Sequence, residues 1–309
     1  MPVIAIVNRK GGSGKSTLAT HLAAWLAPSI PGARALSFCT GYMANLALLT
    51  ALAGEGAAIF ADKLNHASLI DGALLSRAQH VRYQHTDMDD LARKLAHTPV
   101  AEGSARLIVT DSVFSMDGDE APLPALLDLA IQYDAWLIVD DAHGLGVLGP
   151  QGRGSIADAR LPAHPNLIMI GTLGKAAGVS GAFVAGNRDL VEWLIQRART
   201  YIYTTGASPM LAGALLASLQ RIIQGDDLRT QLNDNIAAFR SGIAALNLPY
   251  ALLPSRTGIQ ALVIGDNEAT LKIGMNHPSR LRAGVAHMDG PGAHFFHASG
   301  EVGLQAQQG

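Results

Sequence analysis

Short apolar runs rich in β-forming residues recur along the chain, and each is followed by a loop. Continuous apolar runs of this length are typical of strands that are buried on both faces. They lie at residues 2–8, 33–39, 57–62, 106–112, 135–141, 166–172 and 182–187. Stretches with helical spacing lie between them, at 44–53, 86–96, 122–133 and 188–199. This alternation predicts an α/β fold in which helices flank a mainly parallel sheet.

The pattern changes after Pro209, where long helical stretches are followed by only weak strand patterns. The helical stretches cover 210–224 and 228–246, and the weak strands lie near 249–253 and 259–264. The chain beyond is rich in Gly, His, Pro and Ala and lacks periodicity, which predicts an irregular tail. We therefore predict a separate N-terminal segment (1–32) and a large domain (33–209). An incomplete small α+β domain (210–271) and an unassigned tail (272–309) follow.

Composition limits the classes of partner and compartment. Of 309 residues, 49% are hydrophobic, which is enough for a large core. The 23 basic and 25 acidic residues are mixed along the chain, so neither nucleic acid nor an anionic membrane is predicted as a partner. No apolar stretch reaches the ~20 residues that cross a bilayer. A single cysteine, Cys39, and no signal-peptide pattern favour the cytoplasm.

Chemically distinctive residues follow several of the predicted strands. Lys175 lies just after one strand among glycines that allow close backbone approach to a ligand, and Asp140 and His143 lie at the end of another. A buried carboxylate needs a cationic partner, and the protonated pyridine of pyridoxal 5′-phosphate (PLP) is one. Each feature alone has a simpler interpretation: a surface lysine, and an aspartate that caps a turn beside a histidine.

Three further positions are candidates for the same site. At Gly41 and Tyr42 a strand passes into a helix, whose N-terminus favours an anion such as phosphate. The hydroxyl of Ser115 follows a third strand, and His66 lies in the segment LNHASLIDG. Taken singly, these are equally consistent with an ordinary strand-to-helix turn, a turn serine and a core histidine. The prediction of a PLP site therefore depends on the whole set.

The motifs CTGYMAN, LNHASLIDG, SVFSMDGDEAPL, VDDAHGLGVLGPQGRG and GTLGKAAGVSGA together resemble the α-oxoamine synthases, which are fold-type I PLP enzymes. The resemblance covers about residues 33–271. It implies that Lys175 carries PLP as a Schiff base, with His66 stacked on the pyridine ring and Asp140 at its nitrogen. It further implies roles for Ser115 and His143 at the phenolic oxygen, for Thr172 and the Gly41–Tyr42 turn at the phosphate, and for Thr204 or Thr205 across a homodimer interface.

Within this family, the motifs are most similar to those of acyltransferases that condense L-alanine with a pimeloyl thioester in biotin biosynthesis, releasing carbon dioxide. The acyl carrier is coenzyme A or acyl carrier protein. Family segments that shape the substrate entrance have no counterpart before Ala33, and the Arg-Pro-Pro motif of the small domain has none after Leu271. The residues that tune PLP are therefore present and those that position the substrate are largely missing, and misplaced reactants lose much of the catalytic advantage.

A second resemblance concerns the first 28 residues, which are similar to the P-loop region of ParA/MinD-type partitioning ATPases. Candidate residues for ATP phosphates and magnesium are Lys10, Gly11, Gly12, Gly14, Lys15, Ser16 and Thr17. The simpler interpretation is a Gly-rich turn. Alternatives to the acyltransferase are therefore an ATP-binding ATPase and an inactive chimeric remnant. The histidines of the tail fit no standard ligand spacing, so no metal site is predicted.

Overall fold

The computed structural model describes residues 15–265 and 295–297. The helices are α1 Lys15–Leu26, α2 Gly41–Leu52, α3 Ala67–Ser76, α4 Met88–His97, α5 Leu123–Gln132, α6 Ser155–Asp158, α7 Arg188–Arg197, α8 Arg199–Ile202, α9 Pro209–Ile223 and α10 Asp226–Ala245. The strands are β1 Arg34–Phe38, β2 Ala58–Asp62, β3 Gln79–Tyr83, β4 Arg106–Asp111, β5 Trp136–Asp140, β6 Leu167–Thr172, β7 Ala182–Gly186, β8 Ala251–Leu252, β9 Ala261–Val263 and β10 Phe295–His297.

Seven strands form one sheet in the order β1-β7-β6-β5-β4-β2-β3. The five strands from β6 to β3 pair in parallel, whereas β7 runs antiparallel to both of its neighbours. Strands β2, β4, β5 and β6 are almost fully buried, as their continuous apolar runs predict. The predicted α/β class with a mainly parallel sheet is confirmed. Parallel pairing also brings the carboxyl ends of β4, β5 and β6 to one edge.

Two elements carry no clear signal in the sequence. Strand β3 lies at the edge of the sheet, and only Tyr83 among its residues is buried, so its sequence QHVRY shows no continuous apolar run. Helix α3 begins at Ala67 with His66 as its N-cap, a residue type outside the usual capping set. The predicted segment at 2–8 lies outside the described residues.

The core lies on both faces of this sheet. One cluster includes Phe60, Val139 and Phe183, and the other includes Leu48, Ile138 and Val184. Helix α1 belongs to the first cluster: Leu18, Leu22 and Leu26 recur every four residues along it and are buried. The helix contacts β1 and α9, so the N-terminal segment shares its core with the sheet from its first described turn onward.

Backbone contacts divide the chain into two units, whose described parts are 15–114 with 120–226, and 115–119 with 227–265 and 295–297. The second unit contains most of α10 and the three-stranded antiparallel sheet β10-β9-β8. Arg240 of α10 donates to the backbone oxygen of Leu253 at 3.0 Å and to Gln260 at 2.6 Å. Within the tail predicted to be irregular, 295–297 form β10 because they pair with β9.

Candidate active site

Two buried carboxylates end adjacent parallel strands. Asp111 of β4 and Asp140 of β5 are register partners, and their side chains are 5% and 6% exposed. Burial raises the pKa of Asp111 well above its ordinary value of 3.8, and the neighbouring charge of Asp140 raises it further. The raised pKa favours the neutral acid form of Asp111 beside Asp140, and a cation placed at this edge would favour the charged form.

Lys175 supplies an amine beside these carboxylates. Its Nζ lies 2.8 Å from Nε2 of His143, on the loop after β5. The side chain keeps an exposed surface, but the surrounding protein removes part of the hydration of the amine and so lowers the pKa of Lys175 from 10.5. The charges of Asp140 and Asp111 oppose this effect. The three predicted residues Lys175, His143 and Asp140 thus belong to one constellation.

His66 joins the same edge through its backbone and its ring. Its N–H donates to Asp111 Oδ2 at 2.7 Å, and its Nδ1 lies 2.7 Å from the hydroxyl of Ser68. The ring is exposed. Asn45 of α2 connects the histidine to the second carboxylate, because its Nδ2 donates to Ser68 Oγ at 2.8 Å and to Asp140 Oδ2 at 2.7 Å.

Asp141 fixes the loop that carries His143. The carboxylate is completely buried and accepts hydrogen bonds from the hydroxyls of Ser112 and Ser155, both at 2.6 Å, and from the N–H of Ser155 at 2.9 Å. Burial raises the pKa of Asp141 to about 7, because these three donors only partly replace water around the charged form. The group thereby ties the end of β5 to β4 and α6.

The N-terminus of α2 lies beside the end of β6. Thr40 caps the helix by accepting from the N–H of Met43 at 3.1 Å, while the preceding amides of Gly41 and Tyr42 belong to the turn that lacks intrahelical acceptors. A Cβ at Gly41 would lie 3.7 Å from the side chain of Thr172, so the two positions are neighbours. The Tyr42 hydroxyl donates to Asp71 and is directed along α3.

The remaining predicted residues are Ser115, Thr204 and Thr205. Ser115 belongs to the second unit of the chain. Thr204 and Thr205 line an apolar cavity of about 140 Å³ in the first unit, where Cys39 Sγ lies 3.7 Å from Thr204 Oγ1. Within the described part of the chain, none of the helices has the length and apolar character needed to cross a bilayer.

The family model for class I and II aminotransferases matches residues 11–288. The chain belongs to this family. A curated 8-amino-7-oxononanoate synthase from Herminiimonas arsenicoxydans is 55% identical over 265 residues, covering 84% of this chain and 67% of the relative. The synthase from Polaromonas naphthalenivorans is 57% identical over 267 residues, covering 84% and 64%. The chain thus spans about two thirds of the length of these curated relatives.

Two solved structures of PLP-dependent transferases have folds similar to that of this chain. The 8-amino-7-oxononanoate synthase of Francisella tularensis has a TM-score of 0.77 and 32% identity, covering 94% of this chain and 82% of that chain. A serine palmitoyltransferase from S. paucimobilis, solved with bound PLP and myriocin, has a TM-score of 0.82 and 27% identity, covering 93% and 72%. These findings confirm the resemblance to the α-oxoamine synthases and the fold-type I class.

The resemblance to partitioning ATPases is not supported. The aminotransferase model begins at residue 11, inside the expected P-loop. Lys10, Gly11, Gly12 and Gly14 lie outside the described residues, whereas Lys15, Ser16 and Thr17 open α1, which packs into the aminotransferase core. Nothing in the comparisons supports ATP and magnesium at this segment or an inactive remnant, because the family match begins at residue 11 and continues past residue 28, where the resemblance to the ATPases ends.

The sequence interpretation missed four polar residues of the constellation: Asn45, Ser68, Asp111 and Asp141. Asp111 and Asp141 follow apolar runs in the same way as Asp140, so strand-end position could have found them. Asn45 interrupts the otherwise apolar helix α2, and Ser68 lies in the first turn of α3. A polar residue at a buried helical position is the signal that was available for Asn45.

Proposed function

We propose that this chain binds PLP at Lys175 and serves an 8-amino-7-oxononanoate synthase reaction. The observation that carries the proposal is the Lys175 amine, 2.8 Å from His143 Nε2 and within the field of the buried carboxylates of Asp140 and Asp111. A strand-end lysine with a lowered pKa is neutral more often than a surface lysine, as a nucleophilic amine requires.

The chemistry of the donor set fits PLP. Asp140 would hold the pyridine nitrogen, because that carboxylate is buried at the end of β5, where it accepts hydrogen bonds from Asn45 and from the N–H of Ala142 at 3.1 Å. Thr172 and the helix N-terminus at Gly41–Tyr42 would hold the phosphate. Lys175 would hold the cofactor through its amine. When bound, PLP supplies an electron sink for negative charge that develops on the amino-acid α-carbon.

The protein residues then contribute proton transfer and orientation. The neutral Lys175 amine can accept a proton, and its partner His143 lies 2.8 Å from Nζ and helps to hold the amine in place. In the same proposal His66 stacks on the cofactor ring, consistent with its exposed imidazole, and Ser115 and His143 serve the phenolic oxygen. The identity of 55% and 57% to the named relatives supports these assignments.

The substrates in this proposal are L-alanine and a pimeloyl thioester of coenzyme A or acyl carrier protein. Carbon–carbon bond formation with loss of carbon dioxide gives 8-amino-7-oxononanoate and the free thiol. Support comes from the names of the curated relatives, at 55% and 57% identity. We further propose a cytoplasmic homodimer in which Thr204 or Thr205 of one subunit contacts the cofactor phosphate of the other, without a nucleic-acid or membrane partner.

Titration of the purified apoprotein with PLP tests the cofactor assignment. The visible absorbance of bound PLP is expected for the wild type and for the control Lys63→Ala, which removes a lysine bonded to Gln84. Borohydride reduction followed by peptide mass mapping should place the cofactor on Lys175. No covalent adduct is expected in Lys175→Ala. A wild-type protein that takes up no PLP, or an adduct at another lysine, would contradict the proposal.

Turnover requires a separate assay. L-Alanine should change the spectrum of the PLP-loaded protein, and addition of pimeloyl-coenzyme A or pimeloyl acyl carrier protein should release carbon dioxide. Parallel assays with the two thioesters identify the carrier. If alanine changes the spectrum and neither thioester reacts, the cofactor assignment stands and the acyltransferase assignment fails.

A further inference from the structure

A continuous series of hydrogen bonds links the two groups assigned to opposite parts of the cofactor ring. It runs from Asp140 through Asn45 and Ser68 to His66, with heavy-atom distances of 2.7, 2.8 and 2.7 Å. Asn45 and Ser68 are each 1% exposed, so bulk water cannot take the place of either residue.

The direction of the first link follows from the chemistry of Asp140. An ionised carboxylate only accepts hydrogen bonds, so the atom of Asn45 that faces Asp140 Oδ2 at 2.7 Å is the amide nitrogen. The same nitrogen donates its second proton to Ser68 Oγ. In this orientation Asn45 Oδ1 has no hydrogen-bond partner among the described residues. The Asn45 amide thus directs its nitrogen toward Asp140, although its oxygen is then left without a hydrogen bond from the described residues.

The direction of the second link follows from the hydroxyl of Ser68. Its oxygen already accepts from Asn45, so its single proton is available for His66 Nδ1 at 2.7 Å. The backbone N–H of Ser68 also points to this nitrogen, at 3.2 Å. Two donors on Nδ1 make it an acceptor. The proton of the neutral imidazole is therefore carried by Nε2.

We propose that Asn45 and Ser68 are positioning residues that couple Asp140 to His66 and select the His66 tautomer that carries its proton on Nε2. The proposal rests on the PLP site described above. Asn45 fixes one oxygen of the carboxylate assigned to the pyridine nitrogen, and Ser68 fixes the plane of the ring assigned to stacking. A change at the Asp140 carboxylate should therefore alter the His66 imidazole, and the reverse. The two groups are joined by hydrogen bonds through the Asn45 amide and the Ser68 hydroxyl.

The tautomer is measured directly in the protein without PLP. In a protein labelled with ¹⁵N in its 11 histidines, the His66 signal is identified by its loss in His66→Asn. The neutral wild-type ring should show a protonated Nε2 and an unprotonated Nδ1. Protonation of the neutral ring on Nδ1 would overturn the proposal, and this readout requires no substitution in the network.

Ser68→Ala tests the link, and Ser76→Ala is the matched control. Ser76 is also buried on α3, but its hydroxyl donates to the backbone oxygen of Ala73 at 2.7 Å. Ser68→Ala should give a mixture of His66 tautomers and raise the dissociation constant of PLP roughly tenfold, as loss of one hydrogen bond to a polar partner implies. Ser76→Ala should leave the tautomer unchanged, and Ser68→Thr should restore it.

Asn45→Leu tests the part of the hydrogen-bond series that joins Asp140 to Ser68. With the amide removed, the Ser68 hydroxyl is free to reorient, so Asn45→Leu should change the signal of His66, which is linked to Asn45 through Ser68. In a double-mutant cycle, the effects of Asn45→Leu and Ser68→Ala on PLP affinity should be strongly non-additive. Additive effects, or an unchanged His66 signal, would count against coupling. Failure of all variants and the wild type to bind PLP would instead refute the cofactor site and leave the tautomer result standing.

Discussion

The amine of Lys175 lies 2.8 Å from Nε2 of His143, while the carboxylate of Asp140 acts on the same amine through its charge. Desolvation lowers the pKa of Lys175, and the negative charge of Asp140 raises it. Desolvation and the charge of Asp140 thus shift the balance between the neutral and charged forms of this amine in opposite directions. A substitution at Asp140 separates the two effects.

Asp140→Asn is predicted to lower the pKa of Lys175 further, because the substitution removes a negative charge that stabilises the ammonium form. The rate of acetylation of each lysine, measured by mass spectrometry against pH in the protein without PLP, reports the neutral fraction. The midpoint for Lys175 should lie below 10.5 in the wild type and lower still in the variant. Lys63 in the same samples corrects for reagent decay. An upward shift would contradict the assigned charge effect.

Asp141→Asn is predicted to alter the dependence of stability on pH. The folded-state pKa of Asp141 is raised from 3.8 to about 7, so between these values the unfolded chain releases this proton first. The contribution of Asp141 therefore lowers stability as pH rises, by up to about 1.4 kcal/mol per pH unit, and levels off above pH ~7. Asp141→Asn removes this contribution.

Denaturant unfolding at pH 5, 6, 7 and 8 checks the prediction for Asp141. The free energy of unfolding of the variant minus that of the wild type should become more positive as pH rises to about 7, which means that the variant gains stability relative to the wild type. The exposed Asp128 supplies the control variant Asp128→Asn. For each variant, the difference in free energy of unfolding from the wild type is plotted against pH. If this difference has the same pH dependence for Asp141→Asn as for Asp128→Asn, the assigned titration of Asp141 is wrong.

Gly171→Ala is predicted to destabilise the fold by about 1–3 kcal/mol, the usual cost of overpacking a core. Gly171 of β6 is the register partner of Phe183, and a Cβ there would lie 2.4 Å from the Phe183 ring. Thermal unfolding measures the loss. Gly213→Ala is the control, since its Cβ would meet no atom within 4 Å and the helical position favours alanine. If Gly171→Ala were as stable as wild type, the close approach would be wrong.

Thr40→Ala should weaken both α2 and PLP binding, because it removes the cap that organises the helix N-terminus. Loss of a cap typically costs about 0.5–2 kcal/mol of stability. Asp87→Ala provides a comparison, since Asp87 caps α4 by accepting from the N–H of Asp90 at 2.8 Å. Both variants should be less stable in urea, whereas only Thr40→Ala should raise the dissociation constant of PLP. Equal effects on PLP affinity would argue against a phosphate site at α2.

The class of fold was predictable because its main strands are buried on both faces. Strands such as β4 and β5 appear as unbroken apolar runs, and the loops after them contain chemically distinctive residues. Strand β3 was not predictable in this way, because an edge strand with mostly exposed or half-buried residues lacks such a run. The P-loop interpretation failed for a related reason: a short Gly-rich motif was interpreted without the packing of α1 that follows it.

The sequence by itself determined the α/β class and the set Lys175, Asp140 and His143, because these residues lie next to strands whose burial is encoded locally. Only the tertiary structure decided how Asn45 meets Asp140, 95 residues away, and how Ser68 meets His66. Hydrogen bonds between distant polar residues leave no periodic pattern in the chain. Their partners are set by the pairing order of the strands and by the packing of α2 against α3.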